Sequence, residues 1–261
     1  MRPTQRGFSL VELAIVLVII GLVAGATVVS KSLIRTARIR TILTDYENYT
    51  TAAKNFRTKY SSIPGDMPDA ISVWGAQHAT PATCATTAST NALTCNGDGN
   101  GIISYSTGSQ ENFRFWQHLA SAGVLDGRYT GVTASGSAYN ADPGTNAPKG
   151  RLANSGWSAA NATNYVGDTE AYELDFGNYL LFGAATATSV TTGVMLTPAE
   201  AWSLDLKIDD GKPASGTVIA RYWNNLCAEA DDGGSADNDL AASYRVDDPT
   251  VRCALQFRNL F

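Results

Sequence analysis

No proline stands between Pro3 and Pro64, and that gap constrains the fold more than any other feature. A stretch free of proline can continue as one helix, because no residue lacks its backbone donor or clashes with the preceding turn. Residues 8–29, FSLVELAIVLVIIGLVAGATVV, carry one charge, Glu12. At about 1.5 Å per residue they reach ~33 Å, enough for a hydrocarbon layer about 30 Å thick. Beyond them Ile39, Ile42, Tyr46, Tyr49, Ala53, Phe56 and Tyr60 recur at alternating gaps of three and four, a stripe on one helix face. The expectation is a single helix from Phe8 to Tyr60, ~80 Å long, with a greasy first half and an amphipathic second half. The stripe is predicted to pack on the chain's own later residues. SSIPGD at 61–66 supplies the turn chemistry that stops the helix.

Glu12 is the anomaly in the apolar run, since an ionisable group inside a membrane is costly and normally has a partner. Two readings of the run are open: a retained anchor, or a cleaved secretory signal ending at the small residues AGA, Ala24–Ala26. An ordinary signal has a shorter apolar core. Basic residues flank both ends, Arg2 and Arg6 before and Lys31, Arg35, Arg38 and Arg40 after, so the orientation rule gives no direction. The net charge of −5 hides a split: residues 1–60 hold nine Lys/Arg against three Asp/Glu, and residues 61–261 hold ten against twenty-one. The basic residues cluster just after the apolar run, where lipid headgroups or acidic neighbours fit better than nucleic acid.

The later part is poor in charge and rich in Gly, Ala, Ser, Thr and Asn, which points to a loop-rich, β-containing domain. Its four cysteines allow three pairings. Cys84–Cys95 and Cys227–Cys253 are favoured because each closes a local loop, and an even count beyond an anchor suits an oxidising compartment. IPGDMPDAISVWG, 63–75, reads as a bent connector and 79–94 as a surface loop. Asn96, Asp98 and Asn100, followed by Gly101 and a backbone carbonyl at Ile102, copy the first half of a calcium loop. Thr107 stands where the closing glutamate belongs, and Glu111 can replace it only if the chain between bulges. A plain Asn/Gly turn is the competing reading. A helix is expected from Ser109 to Ala122, with His118 on its surface. Residues 127–168 read either as a long ordered loop or as short strands. A strand is expected within 172–186, a capped helix from Thr197 to Ile208, and a strand over 218–223. Asp205, Asp209, Asp210, Asp231, Asp232, Asp237 and Asp239 form either a second cation site or solvated turns.

RGFSLVELAIVLVIIGLVAG closely resembles the N-terminus of type IV prepilins and of the pseudopilins of type II secretion. The resemblance implies an α+β fold: a long N-terminal helix packed on a small antiparallel sheet, with extra loops and short helices. It implies a leader, 1–7, cut after Gly7 by prepilin peptidase, and methylation of the new N-terminal Phe8. Residues 8–30 would form a transmembrane assembly helix, 31–60 its amphipathic continuation, and 61–261 a periplasmic or extracellular head. Glu12, fifth in the mature chain, would pair with the Phe8 amine of a neighbouring subunit. Many members have a proline about three turns into the helix; here Val28 and Val29 occupy that region, and Gly21 and Gly25 supply local flexibility instead. A disulfide-bounded C-terminal loop, here Cys227–Cys253, is also implied.

An enzyme is not expected. The two histidines, His78 and His118, lie in no recognised nucleophile or metal motif, and no G-x-S-x-G or phosphate loop occurs. The expectation is a filament subunit of a type IV pilus or pseudopilus, whose partners are the peptidase, other subunits and the inner membrane. It requires no cofactor, with calcium the one ion the sequence suggests. The alternative is a membrane-anchored or secreted binding domain that does not assemble.

Overall fold

The computed structural model describes residues 9–261 except 90, 106–107, 135–138, 164–169, 187–188, 223–225, 230–238 and 259; at 27–32 it describes the helical backbone alone. Helix α1 runs unbroken over Leu10–Tyr60. It ends where Ser61 turns left-handed at φ 52° and donates its N–H to the Arg57 carbonyl at 2.8 Å. After it come α2 (Ala70–Trp74), α3 (Pro81–Cys84), α4 (Glu111–Ser121), β1 (Ser155–Ala162), β2 (Gly177–Thr186), β3 (Ser189–Gly193), α5 (Pro198–Ile208), β4 (Val218–Arg221) and β5 (Ala254–Phe257). The architecture is α+β, a long helix against a small antiparallel sheet.

The sheet has the order β1-β2-β5-β4. β1 pairs along one edge of β2, from Ser155↔Ala184 to Ala162↔Gly177. The other edge is shared: β5 takes Leu180–Phe182, and β3 takes Ala184 and Thr186 beyond a register shift. The expected strand starts later than its aromatic composition suggests. Tyr172 and Phe176 are buried just ahead of β2 as core plugs rather than strand residues. Trp223, at the end of the other expected strand, lies outside the described residues. β1 emerges from the stretch left open between loop and strand.

The amphipathic half of α1 covers this sheet. Ile39, Ile42, Tyr49, Ala53 and Phe56 are buried, while Tyr46 and Tyr60 pack from the margin. Tyr46 stacks on Phe257 of β5 at 4.6 Å, and Tyr49 meets Trp157 of β1 edge-on at 5.5 Å and Trp116 of α4 at 5.1 Å. Burying aromatic side chains of this size dominates the energetics of a small core.

Helix α4 departs from expectation. It is buried on every side from Glu111 to Leu119, so His118 is a core residue and not a surface one. His118 Nδ1 accepts the Gly65 N–H at 2.9 Å, leaving Nε2 to donate to the Cys95 carbonyl at 3.2 Å. Burial, chiefly, pushes its pKa down to about 3, so the ring is neutral. It clamps the exit of α1 to the loop closed by Cys84–Cys95. Gly65 sits at φ +88°, where a Cβ would run into the Glu111 carbonyl oxygen. The second bridge is Cys227–Cys253; the Cα pairs lie 5.8 and 4.9 Å apart.

Candidate functional site

The apolar side chains at the start of α1 are exposed over the described residues. Leu10 is 87% exposed, and Val11, Leu13, Ile15, Val16, Leu17, Val18, Ile19, Ile20, Leu22 and Val23 are all at least half exposed. Exposed apolar surface on this scale marks a contact with lipid or with other protein. Among the described residues no helix is long and apolar enough to cross a membrane. Gly7 and Phe8 lie outside the described residues.

Glu12 has a local role that the sequence reading overlooked. Its carboxylate reaches back to accept the Ser9 N–H at 2.9 Å, while Ser9 Oγ accepts from the first turn, including Val11 N at 3.3 Å. This is a reciprocal capping box, satisfying otherwise orphan donors at the helix start. The signal was present in the Ser9-Leu-Val-Glu12 spacing. The box places the carboxylate at the first turn of α1, beside the Ser9 backbone. There a negative charge also complements the helix dipole.

A second constellation lies where the connector after α1 meets the loop before α4. Asp66, Asp98 and Glu111 bring carboxylate oxygens within 4.8 Å of one another. Asp66, which sequence reasoning missed, is the hub. Its Oδ1 accepts from Gly99 N at 2.7 Å and Asn100 N at 3.1 Å, and its Oδ2 accepts from Gly101 N at 2.8 Å. Gly97 lets the loop close on it, since a Cβ there would meet the Asp66 backbone. Glu111 Oε1 accepts from Asp98 N at 3.1 Å and Oε2 from Ser104 N at 2.9 Å.

Asn100 touches this cluster through Asp98, its Nδ2 donating to Asp98 Oδ2 at 2.9 Å. Asn96 Oδ1 accepts from Ile71 N in α2. Asn100 Oδ1 accepts from Ile102 N, and the Ile102 carbonyl accepts from Ser104 N. The loop therefore wraps a buried aspartate. Burial, foremost, pushes the Glu111 pKa up to about 7, against the lowering effect of its two backbone donors; the Asp98 and Asp66 charges push it further up. Burial likewise raises Asp66. Carboxylates this close, with Asp66 and Glu111 buried and Asp98 exposed, favour either a shared proton or a bound cation.

The acidic run near α5 resolves differently. Asp205 is buried and accepts from Tyr244 Oη at 2.8 Å and Gly211 N at 3.2 Å. Burial and then hydrogen bonding with Asp209 push its pKa up to about 9. For Asp209, burial raises the pKa but hydrogen bonds from Asp205 and from the N–H groups of Thr217, Asp210 and Val218 outweigh it, and the net shift is down. Asp205 thus carries the proton and Asp209 the charge, and the pair seals the turn between α5 and β4. Asp210 joins them within 4.8 Å, Asp239 accepts from Ala241 N, and Asp231, Asp232 and Asp237 lie outside the described residues.

The fold and its bare apolar helix define a class: an α+β head carried on a helix whose first half exposes apolar side chains. The model of the prokaryotic N-terminal methylation motif matches residues 2–28. The chain therefore carries the N-terminal signature of type IV prepilins and pseudopilins, over a segment that leaves the head unmatched. Comparison with curated proteins and with solved structures found no match.

Proposed function

We propose that this protein is a subunit of a type IV pilus or pseudopilus filament. Prepilin peptidase removes residues 1–7 and methylates Phe8, and the helix 8–30 anchors the precursor in the inner membrane with the head in the periplasm. Assembly then draws the exposed halves of neighbouring α1 helices into a bundle, with heads outward in a periplasmic or cell-surface filament. The observation that carries this reading is the division of α1: bare apolar surface over 10–26, and a stripe buried on the head from Ile39 onward. One end holds the head while the other presents apolar side chains to lipid or to a second copy.

Glu12 supplies the register. Cleavage after Gly7 creates an ammonium that the precursor lacks. An incoming chain stops where that ammonium meets Glu12 of its neighbour, which then exchanges the Ser9 N–H for a charged partner. A buried ion pair need not add net stability, since desolvation offsets attraction, but an unpaired one costs several kcal/mol, roughly 3–5. Mass spectrometry of the mature N-terminus tests the processing: methylated Phe8 is expected, and a start at Thr27 would replace this reading with ordinary secretion. Glu12→Gln is expected to leave cleavage intact and abolish filaments; unimpaired filaments would favour the anchored binding domain that does not assemble. The cluster of Asp66, Asp98 and Glu111 is proposed to take a divalent cation of the calcium type, with Asp66 in place of Asn96 in the expected ligand set.

A further inference from the structure

Helix α5 has an outer face that the fold leaves uncovered. Its inner face buries Ala201, Leu204 and Asp205, and Glu200 and Ser203 turn toward α1. Opposite these, Trp202 is 41% exposed and Leu206 53% exposed, one turn apart on the same side. Two contacts set the direction of α5. Arg35 Nη2 donates to Ser203 Oγ at 3.4 Å, and Arg38 lies 3.8 Å from Glu200. As α5 advances from 200 to 203, its partner on α1 retreats from 38 to 35. The two helices therefore run antiparallel here, and the C-terminal end of α5 points at the apolar half of α1.

That direction fixes a height. At about 1.5 Å per residue, Leu206 lies level with roughly residue 32 of α1 and Trp202 with roughly residue 36. The apolar run ends at Val29. Leu206 and Trp202 thus stand about 5–10 Å beyond it, the depth of the headgroup layer outside a hydrocarbon core. Tryptophan prefers this layer, with its ring in the apolar boundary and its N–H in the polar region. Leu33 and Ile34 are exposed on α1 at the same level. The charges nearby suit an anionic surface: Arg35 and Lys207 lie at this height, and Arg38 and Arg40 follow roughly one turn further out. The acids at the end of α5 are occupied within the protein: Asp209 accepts from Val218 N and Asp210 N, and Asp210 accepts from Ser215 Oγ and Lys212 N.

We propose that α5 is a second membrane contact. Its Trp202–Leu206 face rests in the headgroup layer of an anionic bilayer and holds the head against the membrane until the subunit is drawn into a filament. The proposal rests on the membrane anchoring proposed above and adds a surface of the head to it. Docking restricts the tilt of the head about the anchor, so waiting subunits present their α1 helices in a common orientation.

The test uses the full chain reconstituted into vesicles of phosphatidylcholine and phosphatidylglycerol, with and without lipids brominated just below the headgroup. The chain has five tryptophans, so Trp202→Phe isolates the signal by difference. Both proteins are expected to float with the vesicles. Bromine is expected to remove, from the wild type only, roughly the emission of one tryptophan of the five, and Leu206→Glu is expected to reduce that loss at least twofold. Equal quenching of wild type and Trp202→Phe, with both still floating, overturns the contact and leaves the anchor standing. Failure of either protein to float overturns the anchor and the contact together. Trp202 emission shielded from aqueous iodide only on filament assembly, without bromine quenching, assigns the face to a neighbouring subunit and also overturns the proposal.

Discussion

Replacing Glu111 with glutamine tests the account of the carboxylate cluster around Asp66 and Glu111. In the folded chain the Glu111 pKa rises from 4.5 to about 7. A raised carboxylate pKa means that the folded state holds a proton the unfolded chain has already lost. Stability is therefore complete below about pH 4.5 and falls as pH climbs toward 7. At ~1.4 kcal/mol per pH unit the full loss is about 3 kcal/mol, of which about 2.5 kcal/mol falls between pH 5 and pH 8. Glutamine cannot ionise, so its contribution stays flat. It offers one carbonyl oxygen where Glu111 offers two, so either Asp98 N or Ser104 N loses its acceptor. An unsatisfied buried donor costs about 1–3 kcal/mol. The variant is then the less stable protein at pH 5, and the gap closes or reverses by pH 8. For a domain of this size, about 2.5 kcal/mol corresponds to roughly 5–10 °C in Tm. Thermal unfolding of the full chain in detergent with a calcium chelator, at both pH values, makes the comparison. A wild-type-to-variant difference that does not move with pH would refute the reasoning.

Calcium added at pH 8 is expected to raise the wild-type Tm by several degrees and the Glu111→Gln Tm by much less; equal shifts in both would place the ion elsewhere. Asp205→Asn should flatten the pH dependence from about pH 4 to 9, because the folded pKa of about 9 makes wild-type stability fall over that window. The slope removed is at most about 1.4 kcal/mol per pH unit, read by urea unfolding at several pH values. Gly65→Ala forces a side chain to φ +88° and into the Glu111 carbonyl, so a loss of at least ~2 kcal/mol is expected in the same assay. Replacing Gly7 with a bulky residue is expected to leave uncut precursor in the membrane, seen as a chain still carrying residues 1–7.

Local periodicity carried the legible part of the fold. The stripe from Ile39 to Tyr60 declares a helix with one buried face, and Thr197 with Glu200 declares the start of α5 through a capping box that the structure contains. The same box at Ser9 and Glu12 escaped notice because the resemblance had already given Glu12 a partner. Polar residues of α4 misled for a physical reason. Arg114, Gln117 and His118 look like a solvent face, yet they are buried against loops whose backbone needs hydrogen-bonding partners: Arg114 donates to the Asn96 carbonyl, and Gln117 to those of Ser89 and Thr130. A head built from loops must place polar side chains inside it. β1, SGWSAANA, shows little strand propensity because packing against α4 and α1 selects small residues there. Asp66 could not be found from sequence, since its partners lie some thirty residues downstream and converge only when the connector folds back.

The placement of β5 has a consequence for biogenesis. It follows every other strand in the chain yet lies between β2 and β4, joined to both. Until that segment arrives, β4 has no neighbour among the described strands and Phe257 is missing from beneath Tyr46. In a subunit anchored as proposed, a chain crossing the membrane from its N-terminal end would lodge its anchor long before its head could close. The head would then cohere only once export has delivered its central strand, which ties the competence of a subunit to the completion of its own translocation.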